Sequence, residues 1–464
     1  MSDRDAPPYE VVPFPTVEEA RQRAAGSGAQ RKAAGAQKDA ARDLDEKTAA
    51  RSWVALRKAG CAFDHTKKAW FIYGGSHWEE DKVRLAFHDL GEHCNQLQAG
   101  KKGMSAGFVR GAEAFAQADP RAAVDHSKWD RDEFLVGTPG KTIDCRTGKL
   151  LDPNPAHFIS KRTSVAPAEG EPTRWLQFLE EATGGDAELI RYLQQILGYT
   201  LTGSTKEHAL FFIFGPGKNG KSVFLNTASR ILGDYSKVAA MATFTASKND
   251  RHSTELAMLD GARMVSASET EEGRSWAEAT IKQLTGGDPI TARFMRQDNF
   301  TFTPRFKLII VGNHQPQLHS VDEATRRRFN IVEFKHTPPR PDKDLEEKLA
   351  AEHGRILSWM IRGCLDWQKH GLVRPESVVR ATDEYFDAQD MLGQWLGERC
   401  VTGPNCFDQP TVLYRDWCEF SKANGEDPGT SRSFFMSLPK RGFPKGKLGG
   451  LRGYRGLSVR PSAA

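Results

Sequence analysis

The chain has 464 residues, room for about three domains at a prior of roughly 150 residues each, and its 39% hydrophobic and 27% charged residues exclude a wholly disordered chain. No apolar run approaches the ~20 residues of a membrane span, and the stretch from Met1 to Pro8 lacks a hydrophobic signal core, so neither a membrane protein nor a secreted one is expected. Net charge is +5, a weak signal, and seven scattered cysteines without a CxxC spacing read as reduced thiols of a cytoplasmic protein.

Residues 1–60 read as a tail or solvated helix, Pro-containing at first and rich in Ala, Arg, Gln and Lys from Val17 to Lys58. Residues 61–170 read as a small α+β domain. In it Ala69 to Asp81 forms strand, Gly-Gly turn and strand, Val83 to Leu97 a helix, and Asp132 to Gly137 and Lys141 to Pro153 short strands. Pro167 to Pro172 marks a linker. Residues 171–337 open with helices over Thr173 to Ala182 and Ala187 to Leu197. Apolar strands follow at Ala209–Phe214, Ala262–Ser268 and Phe306–Val311, separated by helical or polar segments. Near-continuous apolar strands of this kind predict an α/β fold with a parallel sheet covered on both faces. Pro338, Pro339 and Pro341 end this core. Residues 338–399 are helical, with Ile356, Met360, Cys364 and Trp367 on one stripe, and 400–464 form a last, basic unit.

The most specific signal is Gly215-Pro216-Gly217-Lys218-Asn219-Gly220-Lys221-Ser222, which fits the phosphate-binding loop pattern between a strand and a helix. Glycines let the backbone wrap phosphates, and the helix N-terminus adds positive potential. Lys221 would neutralise the β- and γ-phosphates of ATP, and the Ser222 hydroxyl would coordinate Mg²⁺. Hydrolysis also needs an acid at the end of a neighbouring strand, and Glu269 is the expected carboxylate, close to the metal. Ser268 stands before it where such sites mostly carry Asp. Asn313, after the third strand, would hold water or read the γ-phosphate, although an Asn there is by itself usually a turn residue. Arg326-Arg327-Arg328 follows, and a lone triplet of this kind reads as a solvated basic turn.

These segments in this order resemble superfamily 3 helicases, and more closely the C-terminal helicase portion of phage and plasmid primase-helicases, a family shared with poxviruses. The resemblance rests on Leu197 to Gly203, Gly215 to Ser222, Ser266 to Gly273, Ile281 to Arg293, Phe306 to His314 and Asp322 to Arg328. It implies an AAA+-type P-loop core assembled as a hexameric ring around DNA, with Glu269 as the acid and Asn313 as a sensor. It makes Arg327, with Arg328 beside it, the finger that enters a neighbour's site. It also implies a DNA-gripping hairpin over Thr291 to Phe302, turning at Gln297-Asp298-Asn299, with Arg293 and Arg296 near its tip. Lys282 would reach a neighbouring subunit's nucleotide. The family carries a primase domain upstream, so the short segment before residue 60 leads us to expect a helicase without priming activity, served by a separate primase or other replisome proteins in a bacterial host.

In the last unit, Leu413, Trp417 and Phe420 share one helical face, Phe434, Phe435 and Leu438 another, and Gly442 to Val459 suits a hairpin. No acid follows Asp427, whereas Arg432, Lys440, Arg441, Lys445, Lys447, Arg452, Arg455 and Arg460 are all basic. One-signed charge on a helix-helix-hairpin unit suggests a winged-helix-like DNA-binding domain, with a floppy basic tail as the other reading. The expected function is an ATP-dependent DNA helicase of phage, prophage or plasmid replication, translocating on single-stranded DNA. Its rival is an ATP-switched origin-binding initiator that does not unwind processively.

Overall fold

In the computed structural model, residues 45–57, 60–97, 105–246, 253–269, 274–293, 295, 298–318, 322–338, 341–425 and 427–460 are described. Helix α1 (Glu46–Arg57) buries Ala49, Ala50, Trp53 and Val54. Trp53 Nε1 donates to Asp89 Oδ2 at 2.7 Å, and Arg57 forks onto the same carboxylate. For Glu46–Arg57 the reading as tail or solvated helix is corrected here, because the apolar stripe needs a partner and finds one; residues 1–44 of that reading lie outside the described residues. That partner is the layer of α2 (Leu85–Gln96) and α3 (Ala106–Gln117) on one face of a sheet ordered β3-β2-β1-β4. Its strands are β1 (Cys61–Asp64), β2 (Ala69–Tyr73), β3 (Trp78–Glu80) and β4 (Ala123–Val124). A second, antiparallel sheet follows from β5 (Leu135–Thr138), β6 (Lys141–Asp144) and β7 (Lys149–Leu151).

Next come α4 (Thr173–Thr183), α5 (Ala187–Thr200), β8 (Leu210–Phe214), α6 (Lys221–Leu232), β9 (Ser236–Val238), α7 (Ser253–Ala257), β10 (Met264–Glu269), α8 (Glu278–Gly286), β11 (Ile290–Ala292), β12 (Phe300–Phe302), β13 (Lys307–Gly312), α9 (Glu323–Arg326) and β14 (Phe329–Glu333). The central sheet runs β14-β8-β13-β10-β9 with every pairing parallel. Alternation within its apolar strands feeds two cores. Phe211, Ile213, Ile309, Val311 and Val332 face α4, α5 and α6, while Leu210, Phe212, Leu308, Ile310 and Ile331 face Trp276 and Tyr385.

Beyond Pro341, α10 (Leu345–Ala350), α11 (His353–His370) and α12 (Glu376–Gln389) return to this sheet, and α13 (Met391–Arg399) follows them. The α11 stripe Ile356, Met360, Cys364 and Trp367 is buried as its spacing predicts. Helices α5 and α11 cross at glycines: a Cβ on Gly198 would lie 2.1 Å from Cys364 N, and one on Gly363 would lie 2.1 Å from Gln194 O. Only hydrogen fits where two helix backbones come that close. Helix α12 covers the edge strand β14, with Ile331 N donating to Thr382 Oγ1 at 3.1 Å.

The last unit contains β15 (Cys400–Asp408), α14 (Pro410–Ala423), α15 (Ser431–Lys440), β16 (Lys445–Leu448) and β17 (Leu451–Val459) in an antiparallel sheet ordered β15-β17-β16. Trp395, Leu413, Trp417, Phe434, Leu438, Tyr454 and Leu457 form its core, so α13 belongs with it. The Gly-rich stretch is a paired hairpin rather than a floppy tail. No described helix is long and apolar enough to cross a membrane.

Candidate active site

The strand register gathers the expected chemistry along one edge of the central sheet. Glu269 pairs with Gly312, Gly312 with Phe214, and Phe214 with Glu333. The phosphate loop therefore leaves β8 beside the residue preceding Asn313, with the backbone of Glu269 one strand further. The Glu269 side chain and residues 270–273 lie outside what the structure describes. Glycine is required at 215, where a Cβ would stand 2.2 Å from Phe334 O and 2.3 Å from Asn219 Nδ2. Asn219 is buried and donates through Nδ2 to Phe334 O, which ties the loop to the end of β14. Lys221 Nζ donates to Gly215 O at 2.7 Å and to Asn219 Oδ1 at 2.9 Å. Burial lowers its pKa, so a counter-charge from an anion would be favourable there. Gly220, at φ +87°, is the N-cap of α6, and a Cβ there would stand 2.7 Å from the ring of Phe178.

These groups open into a cleft of about 1370 Å³ that includes Gly217 to Ser222 and Asn313. Its opposite wall is the part sequence reasoning missed: Arg174, Gln177, Phe178 and Glu181 of α4, with His336 and Asp342. Gln177 Nε2 donates to Glu181 Oε1 at 2.9 Å, and Arg174 lies 3.6 Å from both Glu181 and Asp342. Only the prolines at 338 to 341 hinted at this wall, and they read as the end of the core. Gly217 and Lys218 are exposed at the mouth, as is Ser222 in the first turn of α6. That placement fits a polyphosphate at the amides and a magnesium ion near the hydroxyl. Among the described residues no cluster of acids or histidines forms a metal site by itself.

The arginine triplet divides three ways. Arg326 Nη2 bonds Asp383 Oδ1 at 2.8 Å, and its guanidinium sits over the Phe386 ring, so it fastens α12. Arg328 folds back, Nη1 donating to Ala324 O at 2.6 Å, and burial followed by the charge of Arg327 lowers its pKa. Arg327 is exposed, and its side chain makes no ion pair among the described residues. It stands at the opposite edge of the sheet from the phosphate loop, because Leu210, the first residue of β8, pairs with Phe329. About 13 Å of strand lies between that pair and the loop, at roughly 3.3 Å per residue. Lys282 bonds Asp322 Oδ2 at 2.6 Å within its own chain, and Asp322 caps α9 by accepting from Thr325 N. That lysine therefore braces the turn bearing Arg327.

The hairpin forms as expected, β11 pairing with β12 from Ile290↔Phe302 to Ala292↔Phe300, with Arg293 exposed beyond it. Arg296 and Gln297 lie outside the described residues. In the last unit Arg432, Lys440, Lys445 and Lys447 are exposed. Arg441 differs from the expectation: Nη2 bonds Asp390 Oδ1 at 2.6 Å, the carboxylate that caps α13. It serves as a brace between α15 and α13, so its charge is already paired.

Residues 49–184 match the family model described as D5 N terminal like, and 213–328 match a family of unknown function, DUF5906. The chain is 26% identical over 322 residues to a protein of Acanthamoeba polyphaga mimivirus named "Putative helicase", covering 64% of this chain and 34% of that protein. It is 25% identical over 261 residues to a "Putative helicase" of Frog virus 3, covering 51% and 27%. A "Putative primase" of African swine fever virus is 21% identical over 327 residues, covering 62% of this chain and 33% of its own length. The chain thus spans about a third of the relatives it matches. Among solved structures, the apo C-terminal region of NrS-1 shares the fold, with a TM-score of 0.50 and 10% identity over 89% of this chain and 99% of that one. Together the matches make the chain similar, over a D5 N terminal like segment and the region after it, to viral proteins named as putative helicases or a putative primase.

Proposed function

We propose that this chain is the motor of an ATP-driven DNA helicase of the superfamily 3 type, built on an AAA+ core that works as a ring. The observation that carries the reading is the placement of Arg327. It is the exposed arginine of its triplet, without an ion pair among the described residues, and sits at the sheet edge away from its own phosphate loop. An arginine there serves a nucleotide only if that nucleotide belongs to another subunit. The strand order β14-β8-β13-β10-β9, with the loop leaving the strand between β14 and β13, supports the same architecture. So does the alignment of Glu269, Gly312 and Phe214 at one level.

In this reading the loop amides and Lys221 hold the phosphates of ATP, and Ser222 holds magnesium, which supplies charge neutralisation on the phosphoryl oxygens. Asn313 orients water beside the γ-phosphate, Glu269 accepts its proton, and Arg327 of a neighbouring subunit stabilises charge on the phosphoryl group in flight. The β11–β12 hairpin, with Arg293 at its exposed end, grips DNA. Lys282 and Asp322 link the helix before that hairpin to the turn bearing Arg327, giving hydrolysis and grip a common support. The last unit acts as a winged-helix-like domain that binds nucleic acid by charge. A strand-displacement assay on a forked duplex tests the proposal: ATP- and magnesium-dependent release by the protein, absent in Lys221→Ala, is expected. ATP-dependent footprinting without release would assign the chain to origin binding instead.

A further inference from the structure

The tip of the β16–β17 hairpin carries two features that folding alone does not reward. Leu448 and Leu451 pair across the strands at the tip, yet are 58% and 53% exposed. Gly449 and Gly450, at φ +56° and +82°, make the two-residue turn between them, a conformation with positive φ at both positions that gives a tight, stiff end. The same face next carries Gly446 and Gly453, which offer no side chain to shelter the leucines. One register step behind, Lys447 lies directly opposite Arg452, both exposed. Like charges facing each other across a strand pair cost stability, as does leaving two large apolar side chains in water. No acid lies on either strand of the hairpin to relieve the basic pair, because none follows Asp427 in the chain.

One occupant relieves both costs. The end of a DNA duplex offers phosphates on two strands to the cations and an apolar base-pair face to the leucines. Apolar side chains inserted at a base step unstack it when flanking cations hold the backbones. We infer that Leu448 and Leu451 form a wedge at the junction of a forked duplex, with Lys447 and Arg452 each engaging one of the parting strands. The inference rests on DNA being the chain's substrate, and it assigns to the hairpin tip a role in separating strands that phosphate binding does not include.

The test uses the full chain and a forked duplex with 2-aminopurine at the first paired position. Unsubstituted protein should raise the junction fluorescence on binding, before ATP is added. Leu448→Ser/Leu451→Ser should lose that rise and unwind about tenfold more slowly, while its DNA-stimulated ATPase and melting temperature hold. Leu448→Met/Leu451→Met, which keeps the apolar bulk, should retain the signal. Wild-type unwinding by the serine pair would overturn the wedge and leave the motor standing. A leucine-dependent fluorescence rise in a protein that hydrolyses no ATP would uphold the wedge and overturn the motor. No rise with the unsubstituted protein, or identical behaviour of the serine and methionine pairs, also overturns the wedge.

Discussion

Along the edge of the central sheet, the candidate groups stand where strand register puts them, in a row running from Glu269 through Gly312 to Phe214. In the C-terminal unit, the residues proposed for DNA are held by little more than the hairpin and helix that display them, exposed and, Arg441 apart, without an ion pair among the described residues. The first arrangement suits chemistry, because a reacting group must sit within a fraction of an ångström of its target. The second suits a polyanion, which charge attracts at a distance and which needs no fixed register. Arg326, Arg327 and Arg328 show both rules within three consecutive residues: two are fastened to their own chain, and one is left projecting.

If register governs the first region, losses there should be large and leave the fold intact. Lys221→Ala should lower ATP turnover by at least about 10²-fold, with an unchanged thermal melt, as measured in a coupled phosphate-release assay. A melt that falls alongside turnover would mean that Lys221 mainly supports the loop through Gly215 and Asn219. Arg327→Ala should lower turnover of the assembled protein by about 10³-fold or more, again without a change in melting. Arg326→Ala should do the reverse, costing about 1 kcal/mol of stability through the lost Asp383 pair and little activity. If Arg327→Ala keeps full activity in the assembled protein, the division of the triplet fails.

The sequence carried the first region better than the second for a physical reason. Strands buried on both faces must be apolar almost throughout, so β8, β10 and β13 stand out as runs, and the phosphate loop is contiguous. Helix α1 escaped because its Ala-, Arg- and Lys-rich stretch hides a single Trp53 whose partner, Asp89, is 36 positions away. Strand β15 escaped because Gly403-Pro404-Asn405 reads as a turn, although it pairs with β17 on both sides of an irregularity between Thr402 and Phe407. The residues alone did not sort the arginines, and only the resemblance singled out Arg327. Their sorting depends on Asp383 and Asp387, 57 and 61 positions away, and local pattern is blind to such partners. The α4 wall of the cleft was hidden in the same way.

A third joint has the fixed geometry of the sheet edge but is made of titrating groups. His126 Nδ1 lies 2.7 Å from Asp64 Oδ2, and its Nε2 lies 3.3 Å from Asp260 Oδ2, bridging the N-terminal domain to the segment before β10. The bonds to Asp260 and Asp64 raise the imidazole to about 9 from its ordinary 6.5. Burial works against the Asp64 carboxylate, but the His126 bond and the Lys67 and Thr66 amides still leave its pKa lowered. A raised imidazole contributes its full stabilisation below 6.5 and loses it as pH rises through about 9. Thermal melts of the unsubstituted protein should therefore fall across that window by a few degrees, at about 2–4 °C per kcal/mol, and those of His126→Gln should be flatter. Equal slopes would remove the joint from the account.

The smallest effect tests the second region most directly. If charge alone binds DNA there, Lys445→Ala/Lys447→Ala should weaken all duplex sequences alike. It should also lower the slope of log affinity against log salt by about 1.8, at roughly 0.9 per phosphate contact. Arg441→Ala should leave that slope unchanged, because its guanidinium is already spent on Asp390, and should instead loosen the last unit from α13. Filter binding over a range of salt concentrations separates the two outcomes. A sequence-dependent loss for the lysine pair would mean that the hairpin reads bases, so that register rather than charge governs this region too. A slope that falls for Arg441→Ala would mean that its ion pair opens to engage phosphate.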